Sequence, residues 1–557
     1  MGAEAAERRY GSLFSCSPRL SVGRCVNLKS NISPVVNPIL MGVCMGPFDG
    51  HGVDGMGVLS HHVDRIAFQD EDGRLTYAQA RDTVYRIAGA LRQVGVSADD
   101  MVAFTAPFST FTCLFQYAVN VLGAGHLELP GYLPVWQRAQ IAAEAGARLM
   151  VVDPAVVDDE ELRYFREVAD VEVIATGPSP AVANLADLAK RESAQPFTVD
   201  IDPRSPMSVD LTGGSTARPK LAVRRFNAHP DGMAELFFST DHPVKMLKTS
   251  RMSNVGSVMV RSTLAGGGTV YSRHGFDALA VLGSVETDGL THLFLPPPYL
   301  RALLDVTIPG FYDLSSLRCV VTSTAPASVA LMRRAIDAFG PIVHHVYGQT
   351  ESGMVTVLGP ADYVADAPAG RLATCGRAHP STAVDIRDHD GRSLEKGRRG
   401  VIWCRTPWPY DGYWDGLRQE AERGNWQSTG DIGCLDEDGY LTVLGREFDA
   451  VDRDGTLVLP REVEECVAEH PDVREAVAFG VTTGGRSDLF VAAVLSPGRQ
   501  TSAEALRSWV ACRLGPGCTP DVVEFIATIP MTYANKPDRV LLRSRFGSAG
   551  TSSLPGG

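Results

Sequence analysis

Helical patterns alternate with short apolar segments along the first part of the chain, from about Val58 to Val199. The apolar spacing from Leu75 predicts a helix running to about Val94, and Met101–Thr105 predicts a buried strand. A second helical stretch continues through Val121, and the apolar run that begins at Arg148 predicts another strand. Strands that alternate with helices in this way are typical of βαβ units, so this region is expected to hold a mainly parallel sheet.

The pattern repeats after a Pro- and Asp-containing joint at 200–206. A second α/β run covers about Met207 to Gly359, and its strand-ending turns are expected to place ligand-binding loops at the carboxyl edge of a sheet. From about Gly376 to Gly445, short alternating strands separated by Asp-Gly and Pro turns predict a small β-barrel or sandwich. A compact α/β tail of about 100 residues follows Arg446.

Length, charge and cysteine content narrow the class of protein. A chain of 557 residues exceeds one compact core, so two or more domains are expected. The formal net charge of −13 argues against broad electrostatic binding to DNA, RNA or an anionic membrane. The 11 scattered cysteines include no C-x-x-C pair, which indicates neither a zinc site nor a disulfide framework. No apolar run reaches about 18 residues, so no transmembrane helix is expected. A cytoplasmic protein that binds neither nucleic acid nor membrane is favoured.

The two ends of the chain differ from the rest in amino-acid composition. The first 56 residues are Ser-rich and turn-rich without the order of a signal peptide, so a disordered leader is expected at 1–56. Met41, Met45 and Met56 are alternative translation starts, and any of them would remove most of this leader from the mature protein. The last residues, ending in Ser-Ser-Leu-Pro-Gly-Gly, are expected to form a flexible tail.

The segment Asp210–Lys220 concentrates glycines, hydroxyls and cations. Glycine lets a backbone turn its N–H groups towards a ligand, hydroxyls add neutral donors, and lysine adds a positive charge. This combination suits a loop that holds the outer phosphates of a nucleotide, although the spacing of a Walker loop is absent. A plain surface loop between two apolar runs would have a similar composition.

Four further segments follow in order. Tyr347-Gly-Gln-Thr-Glu351 offers an aromatic face, a hydroxyl and a carboxylate that suits Mg²⁺. Ser428-Thr-Gly-Asp431 places a carboxylate where it can accept hydrogen bonds from both ribose hydroxyls, and Arg446 supplies a permanently charged guanidinium group. Lys536 lies on a Pro-containing loop near the end of the chain. Taken singly, each of these residues is better explained as a solvated surface group or a turn cap.

Together, the five segments resemble those of the adenylate-forming superfamily, which includes acyl- and aryl-CoA synthetases, peptide-synthetase adenylation domains and luciferases. The resemblance extends from about Val58 to Arg543. It implies an α/β fold class, with a large N-terminal domain of two βαβ subdomains plus a small β-barrel and a small α+β C-terminal lid domain. The implied boundaries are 57–445 for the adenylation domain that binds ATP and substrate, 446–545 for the lid domain and 546–557 for the flexible tail.

The resemblance also implies roles for individual residues. Contacts to the β- and γ-phosphates are implied for Thr212, Gly213, Gly214, Ser215, Thr216 and Lys220. Thr350 and Glu351 resemble the phosphate and Mg²⁺ contacts, and Lys536 resembles the catalytic lysine between the attacking oxygen and the α-phosphate. The adenine site is implied at Ser323, Thr324, Ala325, Tyr347 and Gly348, with Tyr347 stacking on the base. The ribose contacts are implied at Asp431 and Arg446, and the substrate pocket at Ser253 and Asn254, where the family commonly has a histidine or aromatic gate.

Several departures from the family pattern concern the acceptor half of the reaction. Phe448 stands where the lid hinge usually has Asp or Lys. Lys245, Lys248 and Arg251 lie near the substituted gate and favour a small aromatic or polar substrate, although a solvated charged face would explain them equally well. The sequence therefore predicts an ATP- and Mg²⁺-dependent, AMP-forming ligase. It is expected to adenylate a small aromatic carboxylic acid and to pass it to CoA or a carrier-protein thiol, in secondary metabolism such as antibiotic biosynthesis.

Two alternatives stay open at this point. The first is a diazotase of the same superfamily, which uses ATP to activate nitrite so that an aryl amine becomes a diazonium; the altered gate would fit this reaction. The second is a non-catalytic adenylate-binding homologue, against which the joint presence of Lys536, Glu351 and Asp431 argues.

Overall fold

A computed structural model describes most of the chain from residue 57 to residue 547. The described ranges are 57–168, 170–212, 219–226, 242–249, 254–273, 275–363, 370–407, 410–414, 426–453, 456–483, 486–531 and 537–547. The strands are, in chain order, β1 (Ile66–Gln69), β2 (Arg74–Thr76), β3 (Met101–Thr105), β4 (Gly125–Glu128), β5 (Ala147–Val152), β6 (Glu172–Ala175), β7 (Pro206–Thr212), β8 (Lys220–Arg225), β9 (Lys245–Lys248), β10 (Thr269–Ser272), β11 (His292–Phe294), β12 (Cys319–Thr322), β13 (Val343–Gln349), β14 (Gly353–Leu358), β15 (Arg377–Ala378), β16 (Ala383–Arg387), β17 (Gly400–Arg405), β18 (Gln427–Leu435), β19 (Leu441–Arg446), β20 (Val451–Arg453), β21 (Thr456–Val458), β22 (Val473–Thr483), β23 (Arg486–Leu495) and β24 (Val522–Phe525).

The α-helices occupy the connections between these strands. They are, in chain order, α1 (Gly57–Ser60), α2 (Tyr77–Gln93), α3 (Thr110–Val121), α4 (Val135–Glu144), α5 (Asp159–Val168), α6 (Leu185–Lys190), α7 (Asn254–Ala265), α8 (Ala278–Asp288), α9 (Pro297–Val306), α10 (Val329–Phe339), α11 (Pro460–Ala468), α12 (Ala503–Leu514) and α13 (Arg539–Gly547). The helix predicted from Leu75 begins two residues later, because Thr76 caps it through a reciprocal bond with Gln79.

The first βαβ region forms a six-stranded sheet in the order β6-β5-β3-β4-β7-β8. The pairs among β3, β4, β5, β6 and β7 are parallel, and only the β7–β8 hairpin is antiparallel. Every residue of β3 is buried, as expected for a strand covered by helices on both faces. The predicted parallel sheet is confirmed.

The second region forms a nine-stranded sheet in the order β15-β14-β13-β12-β11-β9-β10-β1-β2. Its central strands, β13-β12-β11-β9-β10-β1, all pair in parallel. Parallel strands present their carboxyl ends at one edge, so the segments after β9, β11, β12 and β13 emerge side by side. Helices α2, α3 and α7 contribute to one buried cluster that also takes residues from both sheets, which packs the two subdomains together.

The remaining units are smaller. The region predicted as a small β-barrel or sandwich is a four-stranded antiparallel meander, β16-β17-β18-β19. Beyond it, the β20–β21 hairpin and the three-stranded sheet β22-β23-β24 pack with α11 and α12 around a separate core and form the C-terminal unit. This architecture confirms the predicted α/β fold class. Within the ranges described above, no helix is long and apolar enough to cross a membrane.

Candidate active site

A cleft of about 400 Å³ opens where the carboxyl edge of the nine-stranded sheet faces the C-terminal unit. Six of the residues predicted to contact ATP line it: Thr324, Ala325, Tyr347, Gly348, Asp431 and Arg446. Met531 and Pro537, which flank residues 532–536, line the same cleft from the other side. The fold thus brings together segments that are far apart in the chain.

Asp431 is the polar centre of this cleft, and it is 4% exposed. It lies opposite Arg446 in the β18–β19 ladder, and Arg446 Nε contacts its Oδ1 at 2.7 Å. The Tyr347 hydroxyl and the Gln349 side-chain amide donate to its Oδ2 at 2.6 and 2.8 Å. Three donors therefore hold the carboxylate in one orientation, with lone pairs left over for a ligand.

The structure assigns Tyr347 a contact that its predicted stacking role did not include. Burial and the neighbouring Asp431 carboxylate raise the pKa of Tyr347 well above its usual value, so the phenol stays protonated and donates. Gln349 was not among the predicted site residues, although it lies within the same Tyr-Gly-Gln-Thr-Glu run. Its partner is 82 residues away, which the local pattern does not reveal.

The loop after β12 combines an unusual backbone with an unused hydroxyl. Ser323 is buried and donates to the Val346 carbonyl oxygen at 2.9 Å, which ties this loop to β13. Thr324 has φ +77°, a left-handed conformation that a β-branched residue rarely adopts. Its Oγ1 is buried without a hydrogen-bond partner. Strain and an orphaned donor in a cleft are together typical of a ligand contact.

Glu351 and Lys220 belong to a second polar cluster beside the cleft. The Tyr413 hydroxyl donates to Glu351 Oε1 at 3.0 Å, and Lys220 Nζ lies 5.4 Å from the centre of the Tyr413 ring. Arg224 Nη2 donates to the Thr350 carbonyl oxygen at 2.7 Å. Tyr413 and Arg224 were not predicted, because each reaches the cluster through tertiary contacts.

The predicted phosphate loop connects the two strands of the β7–β8 hairpin. Thr212 is buried and pairs with Lys220, so both lie in strands at the end of the hairpin nearest the loop. Lys220 therefore belongs to β8 rather than to the loop itself. Gly213, Gly214, Ser215 and Thr216 lie outside the described residues, as do Ser253, Arg251 and Lys536. Asn254 is described as the first residue of α7.

The two lysines near the predicted gate have different environments. Lys245 Nζ donates to the Asp288 carbonyl oxygen at 2.7 Å, at the start of β9. Lys248, at the end of β9, is 0% exposed, with Nζ 5.2 and 5.6 Å from the ring centres of Phe108 and Phe294. Lys248 is therefore not part of a solvated charged face, and the alternative explanation of these cations is wrong for this residue.

Comparison with known proteins follows the same division of the chain. A family model described as AMP-binding enzyme matches residues 58–414, and one described as AMP-binding enzyme C-terminal domain matches residues 462–536. The chain belongs to the AMP-binding enzyme family. It is an AMP-forming ligase of the adenylate-forming superfamily, as the sequence predicted.

Named relatives of the ligase span most of its length. It is 29% identical over 486 residues to the indoleacetate–CoA ligase of Aromatoleum aromaticum, covering 85% of this chain and 92% of that protein. It is 27% identical over 513 residues to the medium/long-chain-fatty-acid–CoA ligase FadD8 of Mycobacterium tuberculosis, covering 88% and 89%. Among solved structures, the amide bond synthetase McbA of Marinactinospora thermotolerans superposes with a TM-score of 0.80 at 29% identity, covering 89% of this chain and all of that one.

The residues of the cleft fit ATP. A buried carboxylate with free lone pairs suits a ribose diol, and the orphaned Thr324 hydroxyl suits a polar atom of the base or sugar. Arg446 has a half-buried guanidinium whose Nε is engaged by Asp431, which leaves further donors for an anionic ligand.

The residues also fit Mg²⁺ bound together with phosphates. Within the described part of the chain, no group of three or more His, Cys, Asp or Glu side chains could hold a metal ion. Mg²⁺ in nucleotide sites is commonly bound by one or two carboxylates plus phosphate oxygens. Glu351, whose Oε1 accepts from Tyr413, suits that role as a single carboxylate.

Proposed function

We propose that the ligase uses ATP to adenylate a small aromatic carboxylic acid and then passes the acyl group to the thiol of CoA or a carrier protein, in secondary metabolism. The observation that carries the adenylation step is the convergence of Asp431, Arg446, Tyr347 and the Thr324 loop on one cleft, which residues next to 532–536 also line. The proposed domains are 57–445 for the adenylation domain and 446–545 for the lid domain. Arg446 ends β19 and a single turn, Glu447–Asp449, follows it, so the proposed boundary lies at the end of that strand.

The acid class and the acceptor are supported by likeness to named relatives. Indoleacetate–CoA ligase is named for an aromatic acid and for CoA, and it shares 29% identity with this chain. The amide bond synthetase, at the same identity, favours an amine as a second candidate acceptor. An acyl adenylate reacts with either nucleophile, because AMP is a good leaving group in both cases.

The side chains of this protein would act mainly by positioning and by charge. Asp431, held by three donors, would orient the ribose, and Arg446 would keep that carboxylate in place while facing the phosphates. Lys220 and the Thr212 end of the hairpin would hold the outer phosphates, with Glu351 bound to Mg²⁺. Mg²⁺ neutralises phosphate charge when bound. Lys536 would supply a positive charge where negative charge develops on the α-phosphate, which stabilises the transition state more than the ground state.

The deciding experiment measures AMP release with aryl acids, fatty acids, amino acids, and nitrite plus aryl amines. Each substrate is tested alone, with CoA and with a simple amine. Aryl acids are expected to give AMP, with a thioester formed only when CoA is added. AMP release that requires both nitrite and an aryl amine would instead establish the diazotase, and an amide product would establish the amine acceptor. If no substrate supports AMP release, the non-catalytic homologue is the one of the three hypotheses that remains.

Lys536→Ala tests the assigned catalytic lysine in the same assay. A preorganised charge of this kind commonly contributes about 100- to 1,000-fold to kcat, and a loss of that size is expected here. The matched control is Lys396→Ala, because Lys396 is an exposed lysine that donates to the Glu437 carbonyl oxygen in the β-meander. Equal activity of the two variants would refute the role of Lys536.

A further inference from the structure

Arg261 is a half-buried arginine on a helix that packs between the two subdomains. Arg261 is on α7, and within the described residues it makes no hydrogen bond or ion pair; its Nε is buried and unpaired. Both α7 and α3 contribute to the buried cluster that joins the subdomains. A guanidinium withdrawn from water without a counter-charge is costly, so its presence needs an explanation.

Three titratable groups that sense the charge of Arg261 do not neutralise it. Its charge acts on three titratable groups, Cys113 and Tyr117 of α3 and His126 of β4. Burial raises the pKa of Cys113 to about 12 and raises that of Tyr117 above its usual value, so both are neutral at pH 7. Burial, and then the charge of Arg261, lower the pKa of His126 to about 4, so it is neutral as well. None of these three groups therefore carries a charge that would compensate Arg261.

Two buried hydroxyls, one on α3 and one directly after β9, are also unpaired within the described residues. The Tyr117 hydroxyl and Thr249 Oγ1 are both buried without a hydrogen-bond partner. Thr249 directly follows Lys248, and Lys248 also acts electrostatically on Cys113. Buried polar atoms in native proteins almost always have a partner, so a group of such orphans indicates a place for a polar ligand.

Arg261 lies on the helix that begins at the predicted substrate gate. Helix α7 begins at Asn254, directly after the predicted gate residue Ser253. Arg261 lies seven residues after Asn254, about 10 Å along the helix. β9, which ends at Lys248, is two strands from β12 in the sheet order. The Ser323–Ala325 loop therefore emerges from the same sheet edge, about 10 Å away at the usual strand spacing.

We propose that Arg261 binds a second anionic group at the far end of the carboxylic acid that the ligase activates, with the Tyr117 hydroxyl as a further donor. The substrate class is thus a compact acid with a distal carboxylate or similar oxyanion, such as an aromatic dicarboxylic acid. This inference rests on the proposed function and deepens it. A bidentate oxyanion suits a guanidinium better than any uncharged acceptor does.

The test compares pairs of acids that differ only in the distal group. Terephthalate is paired with 4-methylbenzoate and 4-carboxycinnamate with 4-methylcinnamate, and AMP release is measured for each. Wild-type enzyme is expected to prefer the charged member by at least about 30-fold in kcat/KM, as for other desolvated charge pairs. Arg261→Met is expected to abolish that preference through KM for the charged acid, with the uncharged acid unaffected, and Arg261→Lys is expected to restore part of it.

Two further measurements separate recognition from a structural role. Arg333→Met is the matched control, because Arg333 is exposed on α10, and it should leave the preference unchanged. The melting temperature of ligand-free Arg261→Met should not fall, since no partner is lost. A lower melting temperature together with equal losses for both members of a pair would overturn the proposal, as would a wild-type enzyme without any preference.

Failure of the proposed function is distinguishable from failure of this inference. If no acid supports AMP release, binding of the same acids with ATP is measured by calorimetry on wild type and Arg261→Met. Tighter binding of the charged members that is lost in the variant supports the anion site without the reaction. Equal binding within each pair would reject the site.

Discussion

At the scale of single residues, Asp431 shows how the cleft obtains a fixed negative charge. Its two oxygens are engaged by an arginine, a phenol and an amide, all within 2.8 Å. Each donor comes from a different position along the chain, and only the arginine lies opposite Asp431 in the adjacent strand. A carboxylate anchored in this way loses little further freedom when a ribose binds.

Asp431→Asn is expected to weaken ATP use strongly. The amide keeps the size of the side chain but removes the charge, and hydrogen bonds to charged groups contribute about 1.5–3 kcal/mol each. We therefore expect kcat/KM for ATP to fall by about 10- to 150-fold, measured as AMP release at varied ATP. Tyr347→Phe removes one donor and leaves the carboxylate, so it should cost less. A larger loss for Tyr347→Phe than for Asp431→Asn would contradict the ribose assignment.

At the scale of elements, the carboxyl edge of the nine-stranded sheet determines which loops meet. β12 and β13 pair in parallel through Val320–Thr322, so the Ser323–Ala325 loop and the Tyr347 segment emerge together. The bond from Ser323 Oγ to the Val346 carbonyl oxygen fixes their relative position. The left-handed backbone at Thr324 lies in this fixed loop, where the surrounding contacts can maintain it.

Thr324→Gly is expected to separate stability from nucleotide binding. Glycine adopts positive φ without strain, so unfolding stability should rise by up to about 1 kcal/mol, measured by thermal denaturation. Loss of the orphaned hydroxyl should at the same time weaken ATP binding several-fold by calorimetry, since one neutral hydrogen bond contributes about 1 kcal/mol. Asp170→Gly is the control, because Asp170 also has positive φ (49°) but lies away from the cleft. Unchanged ATP affinity in Thr324→Gly would exclude a ligand contact for its hydroxyl.

At the scale of the whole molecule, ion pairs cross from the large domain to the C-terminal unit. Arg301 and Asp305 on α9 contact Glu475 and Arg474 at the start of β22, at 2.5 and 2.6 Å. The large domain contributes the cation in one pair and the anion in the other. A shift of one domain along the other would bring like charges together, so the two pairs favour a single alignment. A third pair, Arg399–Glu462 at 2.9 Å, joins the β-meander region to α11.

Glu475→Arg is expected to loosen this orientation of the C-terminal unit. The reversal replaces the attraction between Arg301 and Glu475 by a repulsion, and partly exposed ion pairs contribute up to about 1 kcal/mol each. The rate of AMP formation should therefore change by a few-fold, and fluorescence transfer between labels on the two domains should report a wider distribution of distances. The exchange Arg301→Glu with Glu475→Arg should restore both readouts, since the pair is re-formed with reversed polarity.

The control for this prediction is Arg392→Glu, which disrupts an exposed pair with Asp390 outside the domain interface. It should leave the rate and the distance distribution unchanged. If the double exchange behaves like Glu475→Arg alone, the pair does not determine the domain orientation.

Much of the architecture could be predicted because it depends on local patterns. The apolar run of β3 and the apolar spacing of α2 identify their elements within two residues, since burial periodicity is a property of neighbouring positions. The positions of Asp431, Arg446 and Tyr347 in the cleft were also predicted from the family resemblance. Tyr413, Arg224 and Gln349 were missed, because nothing in their local sequence shows which distant group they contact.

The sequence by itself determined the α/β alternation and the order of the chemical segments, because these follow from residue type and spacing along the chain, and the resemblance of those segments to a known family implied the class of enzyme. Only the tertiary structure decided that the Tyr347 hydroxyl bonds a carboxylate 84 residues away, that Lys248 is buried between two aromatic rings, and that the Arg261 Nε is buried without a partner among the described residues. The fold decides which distant residues lie close together, and therefore which side chains are buried and which hydrogen-bond partners they have. Burial and partners in turn determine whether a charge stabilises or destabilises the protein.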